Sequence, residues 1–317
     1  MHVLITLRDY NSKIVSAKIE NLIKSFKKKK YLNIGIAIDA RGGNFLLSEI
    51  DSLNKKYTNT SIKIIKGSSP GKSSAQREFA EKYLNDNDFV LLNDLNCNLK
   101  INKNFDKNFF TKLKCDCVIF PVIFNSKKGG SNYFQFENFL RKKESKLKCC
   151  FTGSGQVLGV RAKVLKKLPN DVGDDCFLPL YSLIYENGTK YSSVITGLDI
   201  GYESPGKHFA ARKRMFLRNF PYTFISLIRC LYKLKLFLAL IIFFHKVLRW
   251  TLIIIFPIFI ILLIFYIFSN FTIQNILFIP IFALFVLKPK FRNIFASSLG
   301  TLLGFFLFIL GRRITHY

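Results

Sequence analysis

From Trp250 to Leu287 the chain carries no charged residue, whereas charges crowd residues 1–249. Such a stretch cannot cover the surface of a water-soluble domain, so the chain divides into a polar part and an apolar C-terminal part. Thr251–Phe268 comes near the spanning threshold of about 18 apolar residues. Ile273–Leu287 is a second, shorter run. After the basic loop Lys288-Pro289-Lys290-Phe291-Arg292 comes a third, Ile294–Leu310, whose Ala296, Ser297, Ser298, Gly300 and Gly304 suit close helix packing. The expected membrane region is therefore 251–317, with segments 251–268, 273–287 and 294–310. Residues 216–250 mix Phe, Leu and Ile with Arg229, Lys233, Lys235, His245, Lys246 and Arg249, and read as interfacial amphipathic helices. The basic loop and the basic N-terminal part should both face the cytoplasm. Three spans would put Arg312 and Arg313 outside, so either the last run is re-entrant or residues 232–249 form a fourth span.

The whole chain has 317 residues, which leaves room for one soluble domain of roughly 200 residues. A net charge of +28 raises the question of nucleic acid. The lysines are scattered through every segment rather than gathered in one stripe, which argues against a nucleic-acid partner. Compositional bias, with attraction to anionic lipid headgroups, explains the charge better. Seven cysteines include the adjacent Cys149-Cys150, with no C-x-x-C pair and no zinc spacing, and read as reduced thiols. Met1–Leu7 reads as a short strand, not a signal peptide.

The polar part alternates strand and helix. Strands are expected at 2–7, 33–38, 61–65, 89–92 and 116–124. Helices are expected at 13–27, 46–57, 73–84, 132–146, 161–168 and 177–186, the last closed by Asn187-Gly188. Within 13–27 the apolar face is Ile14, Ile19, Leu22, Ile23 and Phe26. Residues 151–160 form a glycine-punctuated strand and turn. This rhythm predicts a mostly parallel α/β sheet, which binds ligands at the carboxyl ends of its strands. Asp39, Lys72 and Asp94 fall at or just after such ends.

Four clusters could carry chemistry. Asp94-Leu95-Asn96 follows a buried strand, where a carboxylate suits Mg²⁺ or Mn²⁺, though a strand-end Asp is often only a helix cap. Gly67-Ser68-Ser69-Pro70-Gly71-Lys72-Ser73-Ser74 resembles a phosphate-binding loop but has three residues between its glycines where four are needed. The same Lys72, opening a helix, could instead sit near a diphosphate. Asp174-Asp175 could simply cap a helix. Adjacent acids also repel, which suits one of them to accept a proton. Arg212, Lys213, Arg214 and Arg218 could meet a diphosphate or lipid headgroups.

Taken in order, these pieces resemble the membrane-anchored family 2 glycosyltransferases, relatives of cellulose, chitin and hyaluronan synthases, over nearly the whole chain. The match runs through Asp39 of Ile38-Asp39-Ala40-Arg41-Gly42-Gly43-Asn44 and Gly71-Lys72-Ser73-Ser74-Ala75. It continues through Asp94-Leu95-Asn96, Phe136-Glu137-Asn138-Phe139-Leu140-Arg141-Lys142-Lys143-Glu144-Ser145, Gly153, Gly155 and the acidic pair. His245-Lys246-Val247-Leu248-Arg249-Trp250 is also similar to relatives with C-terminal spans. The resemblance implies a GT-A catalytic domain over residues 1–215 that inverts a sugar as it passes from a nucleotide-diphospho-sugar, a UDP-sugar foremost. It implies a lipid-linked or surface-glycan acceptor, polysaccharide export or assembly partners, and a place on the cytoplasmic face of a bacterial inner membrane. By the same resemblance Asp175, with Asp174, supplies the base. Asp39, Lys72, Asp94, Arg212 and Arg214 hold the donor, and Asp94 with Asn96 holds Mg²⁺ or Mn²⁺. Two departures stand out. Asn96 replaces the second acid of D-x-D, and the Q-x-x-R-W window reads Ala211-Arg212-Lys213-Arg214-Met215, which argues against strong processivity. The degraded motifs leave an inactive nucleotide-sugar-binding scaffold as one alternative and a P-loop-like NTPase as another.

Overall fold

The computed structural model describes residues 2–7, 12–26, 32–42, 52, 54–55, 57, 60–103, 105–106, 108–124, 131–199, 205–269 and 289–311. The chain divides into two compact units, one reaching Gly201 and the other running from Tyr202 to Ile314.

In the first unit, β1 (His2–Leu7), β2 (Leu32–Ile38), β3 (Thr60–Lys66) and β4 (Phe89–Asp94) are parallel neighbours in the order β3-β2-β1-β4. In β1, β2 and β4 the apolar runs are nearly continuous because both faces of a parallel sheet are covered, whereas β3, at the edge, alternates buried and exposed residues at its start. Val3, Leu4, Ile5, Ile36, Val90 and Leu91 are completely buried. The helix α1 (Ser12–Ser25) buries Val15, Ile19 and Leu22, with Phe26 just beyond it. Ile14, expected inward, is more than half exposed. The buried stripe starts one residue later, at Val15, and keeps the i, i+4, i+7 spacing. The expected helix over 46–57 lies largely outside the described residues.

The sheet continues through β8 (Val157–Arg161), antiparallel to β4, then β6 (Cys117–Ile119) and β9 (Thr189–Tyr191). The single strand expected over 116–124 is two strands. Pro121, which has no N–H to give a ladder, separates β6 from β7 (Val122–Phe124), and β7 joins another sheet. That second sheet orders β5 (Asn98–Ile101), β10 (Ile195–Asp199) and β7. The helices of this unit are α2 (Lys72–Tyr83), α3 (Ser131–Lys146), the short α4 (Ala162–Leu165) and α5 (Asp174–Tyr185). Past the end of α5, Gly188 adopts φ 79° and its N–H reaches the Ser182 carbonyl, as the Asn-Gly signal implied. All seven cysteines are free thiols.

The second unit comprises α6 (Pro205–Tyr232), α7 (Leu236–Ile242), a π-helical turn over Phe243–Val247, α8 (Leu248–Ser269) and α9 (Pro289–Ile309). Two apolar stretches, Leu236–Tyr266 and Arg292–Ile309, are long enough to cross a membrane by length and composition. The expected segment 273–287 lies outside the described residues. Gly300 and Gly304 let α9 lie directly on α6. A Cβ at Gly300 would sit 2.4 Å from the Phe209 carbonyl oxygen, and one at Gly304 would sit 3.1 Å from that of Lys213. This is the close packing expected of small residues in apolar helices.

Candidate active site

The strand order reverses between β1 and β4, and such a switch point is where open α/β sheets receive ligands. Asp94 ends β4 there, in register with Thr6 of β1. The turn after it is closed by Cys97 N–H donating to the Asp94 carbonyl at 3.1 Å. The Cys97 carbonyl in turn accepts from the Asn93 side chain at 3.1 Å and from the buried Lys18 ammonium of α1. Asn96 is exposed on this turn.

Lys72 is the first residue of α2. Gly71 before it adopts φ 121°, a conformation that L side chains rarely take, and this turns the lysine toward the strand ends. Its ammonium lies 2.7 Å from Asp94 Oδ1, 2.9 Å from Asp174 Oδ2 and 3.0 Å from the Gly155 carbonyl. One turn along α2, Gln76 Nε2 donates to Asp174 Oδ2 at 3.1 Å and to Thr6 Oγ1 at 3.1 Å. Ser73 Oγ donates to the Val172 carbonyl at 2.8 Å, tying α2 to the approach to α5. Four distant segments thus meet at one ammonium. Burial alone would lower the Lys72 pKa, but the Asp174 and Asp94 charges outweigh it and raise it. For Asp94, burial pushes up, Lys72 pulls down, and Asp174 and Asp199 push up again, for a net rise.

The acidic pair does not precede α5 but forms its first turn, after Gly173. Carboxylates there complement the positive end of the helix dipole. The two differ in setting. Asp174 is buried and is engaged by Lys72, Gln76 and the Asp175 N–H, whereas Asp175 is the more exposed. Pro179 explains how α5 meets the glycine loop. It has no N–H to give the carbonyl four residues back. That carbonyl, of Asp175, accepts from Gly153 N–H at 2.9 Å instead. The loop is held from behind by Arg141, which donates to the Gly153 carbonyl at 2.7 Å and pairs with Glu137 at 3.8 Å, both buried.

Asp39 follows β2, and its backbone N–H donates to the Leu7 carbonyl at 2.8 Å. Its carboxylate accepts from Arg41 N, Nε and Nη2 and from Gly71 N–H, at 2.8–3.1 Å. Burial would raise its pKa, but these donors hold it below the ordinary range. Four hydrogen bonds fill a carboxylate's acceptor sites, so Asp39 shapes the Gly71 turn, and contact with a base requires Arg41 to give way. The same contacts argue against a phosphate-cradling loop. Ser68 N–H and Oγ go to Glu78, at 2.8 and 2.9 Å, and Gly71 N–H goes to Asp39.

The structure therefore brings Lys72, Asp94 and Asp174 into contact, with Asp39 joined to them through Gly71 and Asp175 beside Asp174. Arg212 and Arg214 stand half-buried on α6 in the second unit. Nothing in the sequence singles out Lys18 or Gln76. Arg141 stands with Glu137 in the Phe136–Ser145 stretch that carries the resemblance, at the i, i+4 spacing of an ion pair along one helix face, but its hold on Gly153 comes from the structure alone.

No family model and no characterised relative matches the sequence. The structure is similar to that of the mannosyltransferase PcManGT from Pyrobaculum calidifontis in complex with GDP-Man and Mn²⁺. The TM-score is 0.69 at 13% identity, over 98% of this chain and 87% of that one. S. aureus TarS 1-349 in complex with UDP-GlcNAc gives a TM-score of 0.41 at 14% identity, over 69% of this chain and 66% of that one. The first likeness shows the fold, a GT-A arrangement with a mostly parallel seven-stranded sheet followed by C-terminal helices.

The Mn²⁺ of that mannosyltransferase prompts a test of fit. Among the described residues no group of three or more His, Cys, Asp or Glu could hold a metal ion. The two carboxylates, Asp94 at the end of β4 and Asp174 at the start of α5, are already bridged by an ammonium, and Asn96 offers only a neutral amide. This donor set does not fit a resident divalent ion.

Proposed function

We propose that the chain is an inverting glycosyltransferase that moves a sugar from a nucleotide-diphospho-sugar, a uridine nucleotide foremost, to a lipid-linked or surface-glycan acceptor. The observation that carries this reading is the convergence of Lys72, Asp94 and Asp174 at the switch point of a GT-A sheet. Such a cluster has one use for each group. The Lys72 ammonium, a compact point charge, meets the diphosphate as its negative charge grows. Asp94 and Asp174 hold that ammonium in place. Asp175, the more exposed acid, takes the proton from the acceptor hydroxyl, which attacks the anomeric carbon from the face opposite the departing diphosphate. Asp39 orders the Gly71 turn beneath the donor and faces the base once Arg41 moves aside.

The two long apolar helices support placing the enzyme at a membrane, with its catalytic unit on the cytoplasmic face beside export or assembly partners. The absence of Q-x-x-R-W fits a transferase that adds single sugars or few. The full-length protein in detergent, offered UDP- and GDP-linked sugars, should release nucleoside diphosphate. Asp175→Asn should lower that release about 10²–10⁴-fold, the usual worth of a general base, and leave nucleotide binding in place. Release unchanged by Asp175→Asn would overturn the assignment, and no release from any donor would favour the inactive scaffold.

A further inference from the structure

We propose that the Lys72 ammonium is the resident cation of the donor site and that the diphosphate is bound without a divalent metal. The proposal rests on the reading of the site as a nucleotide-diphospho-sugar site. Three observations lead to it. First, the ammonium sits between the Asp94 and Asp174 carboxylates, at 2.7 and 2.9 Å, which is where a metal bridging these two acids would have to sit. A divalent ion on Asp94 would lie within a few ångströms of a like charge, where repulsion in a partly desolvated site is strong. Second, the backbone at Lys72 is held: this is the first residue of α2, and its neighbours Gly71 and Ser73 are fixed by bonds to Asp39 and to the Val172 carbonyl. Moving the ammonium away would also cost the buried Asp174 an ion pair of 2.9 Å. Third, the residue that would complete an acidic metal motif is Asn96, and no further carboxylate, histidine or thiol makes up a ligand group among the described residues.

The Lys72 side chain is 23% exposed, and one of its three acceptors is the neutral Gly155 carbonyl, which a phosphate oxygen can replace at a gain in charge pairing.

The test measures binding of UDP and of GDP to the full-length protein by calorimetry, in EDTA and in Mn²⁺, together with Mn²⁺ uptake followed by electron paramagnetic resonance. Expected are nucleotide affinity unchanged by EDTA within about twofold and no Mn²⁺ binding to the protein alone. Lys72→Met should lose at least tenfold in nucleotide affinity in EDTA and should take up Mn²⁺ between the freed carboxylates. Lys72→Arg should keep chelator-resistant binding. Nucleotide binding that needs Mn²⁺ in the unaltered protein would overturn this proposal and leave the donor site standing. Binding of neither UDP nor GDP with or without metal would overturn both. Should Lys72→Met fail to fold, the two measurements on the unaltered protein still decide.

Discussion

The antiparallel pair β4 and β8 carries a charged cluster at each end, roughly 17 Å apart at the usual strand rise, and the two are built to opposite plans. At the carboxyl end of β4, one cation, Lys72, serves two acids, and both Lys72 and Asp94 reach solvent. At the other end, one acid, Asp116, serves two cations. Arg161 Nε lies at 2.9 Å, Lys163 Nζ at 3.1 Å, and Asn187 adds its N–H and its amide at 2.9 and 2.8 Å. Asp116 is only 1% exposed. Arg161 spends its remaining donors on the Asn87 and Leu113 carbonyls, and Lys163 also pairs with Glu186 at 2.6 Å. That cluster clamps four segments around a buried acid, whereas the first presents a partly exposed ammonium and a partly exposed carboxylate. Charge density does not distinguish a site from a clamp. What does is whether the groups stand at the ligand-receiving end of the sheet and whether they reach solvent.

Removing one acid from each end should separate the two plans. Asp116→Ala takes the buried acid from Arg161, Lys163 and the two Asn187 donors and should cost up to about 3–5 kcal/mol of stability, the range for breaking a buried pair, with activity per folded molecule unchanged. Asp94→Asn should leave the melting temperature nearly unmoved, since a partly exposed pair is worth about 1 kcal/mol or less, and should abolish donor turnover. Melting curves beside turnover measurements check both. The comparison breaks if the clamp variant melts normally or if the Asp94 variant unfolds.

Lys18 gives the next largest effect. Burial drives its pKa down to about 8, against partial relief from Cys97, Asp94 and Asp199. Below pH 8 it is charged both folded and unfolded, and the fold bears the full cost of a buried ammonium. Between pH 8 and its unfolded value of 10.5 the unfolded chain binds more protons, so stability rises with pH through that window. Lys18→Met should therefore be more stable than the parent at pH 7, by on the order of 3 kcal/mol from the shift less about 1 kcal/mol for the lost bond to Cys97. That advantage should fade by pH 10. The same variant should turn over more slowly, because Lys18 holds the turn that presents Asp94. Parallel stability profiles for parent and variant across pH 7–10 would show that Lys18 is not the strained group.

Lys18 also marks where the sequence stops being legible. The parallel strands could be read because their apolar runs are long and end in acids, so Asp39 and Asp94 could be placed at the ligand end without coordinates of any kind. Lys72 could be placed because Gly-Lys-Ser opens a helix. Lys18 looks like any lysine on an amphipathic helix beside Lys13 and Lys24, and only the packing of α1 against the Asp94 turn gives it a role. The strands of the second sheet are three to five residues long, too short for periodicity to register, so β5 and β10 went unread and β7 was fused to β6. The division of labour between Asp174 and Asp175 depends on how the first turn of α5 is rotated, which no local pattern records.

The smallest effect concerns how rigidly the open end is held. Clamp residues bind backbone carbonyls directly, but the glycine loop of the open end is tied to α5 only because Pro179 cannot use the Asp175 carbonyl, leaving it for Gly153. Pro179→Ala supplies an N–H that competes for that carbonyl. The helix gains a bond worth about 1 kcal/mol and loses the restraint that proline placed on the unfolded chain, a comparable amount, so stability should stay within about 1 kcal/mol. The loop, and with it the Gly155 carbonyl that touches Lys72, should loosen. Turnover should then fall several-fold while UDP or GDP affinity holds, because Lys72 keeps both its carboxylates. Equal losses in turnover and affinity would mean that the loop binds the donor rather than positioning it, and unchanged turnover would mean that Arg141 alone suffices to fix the loop.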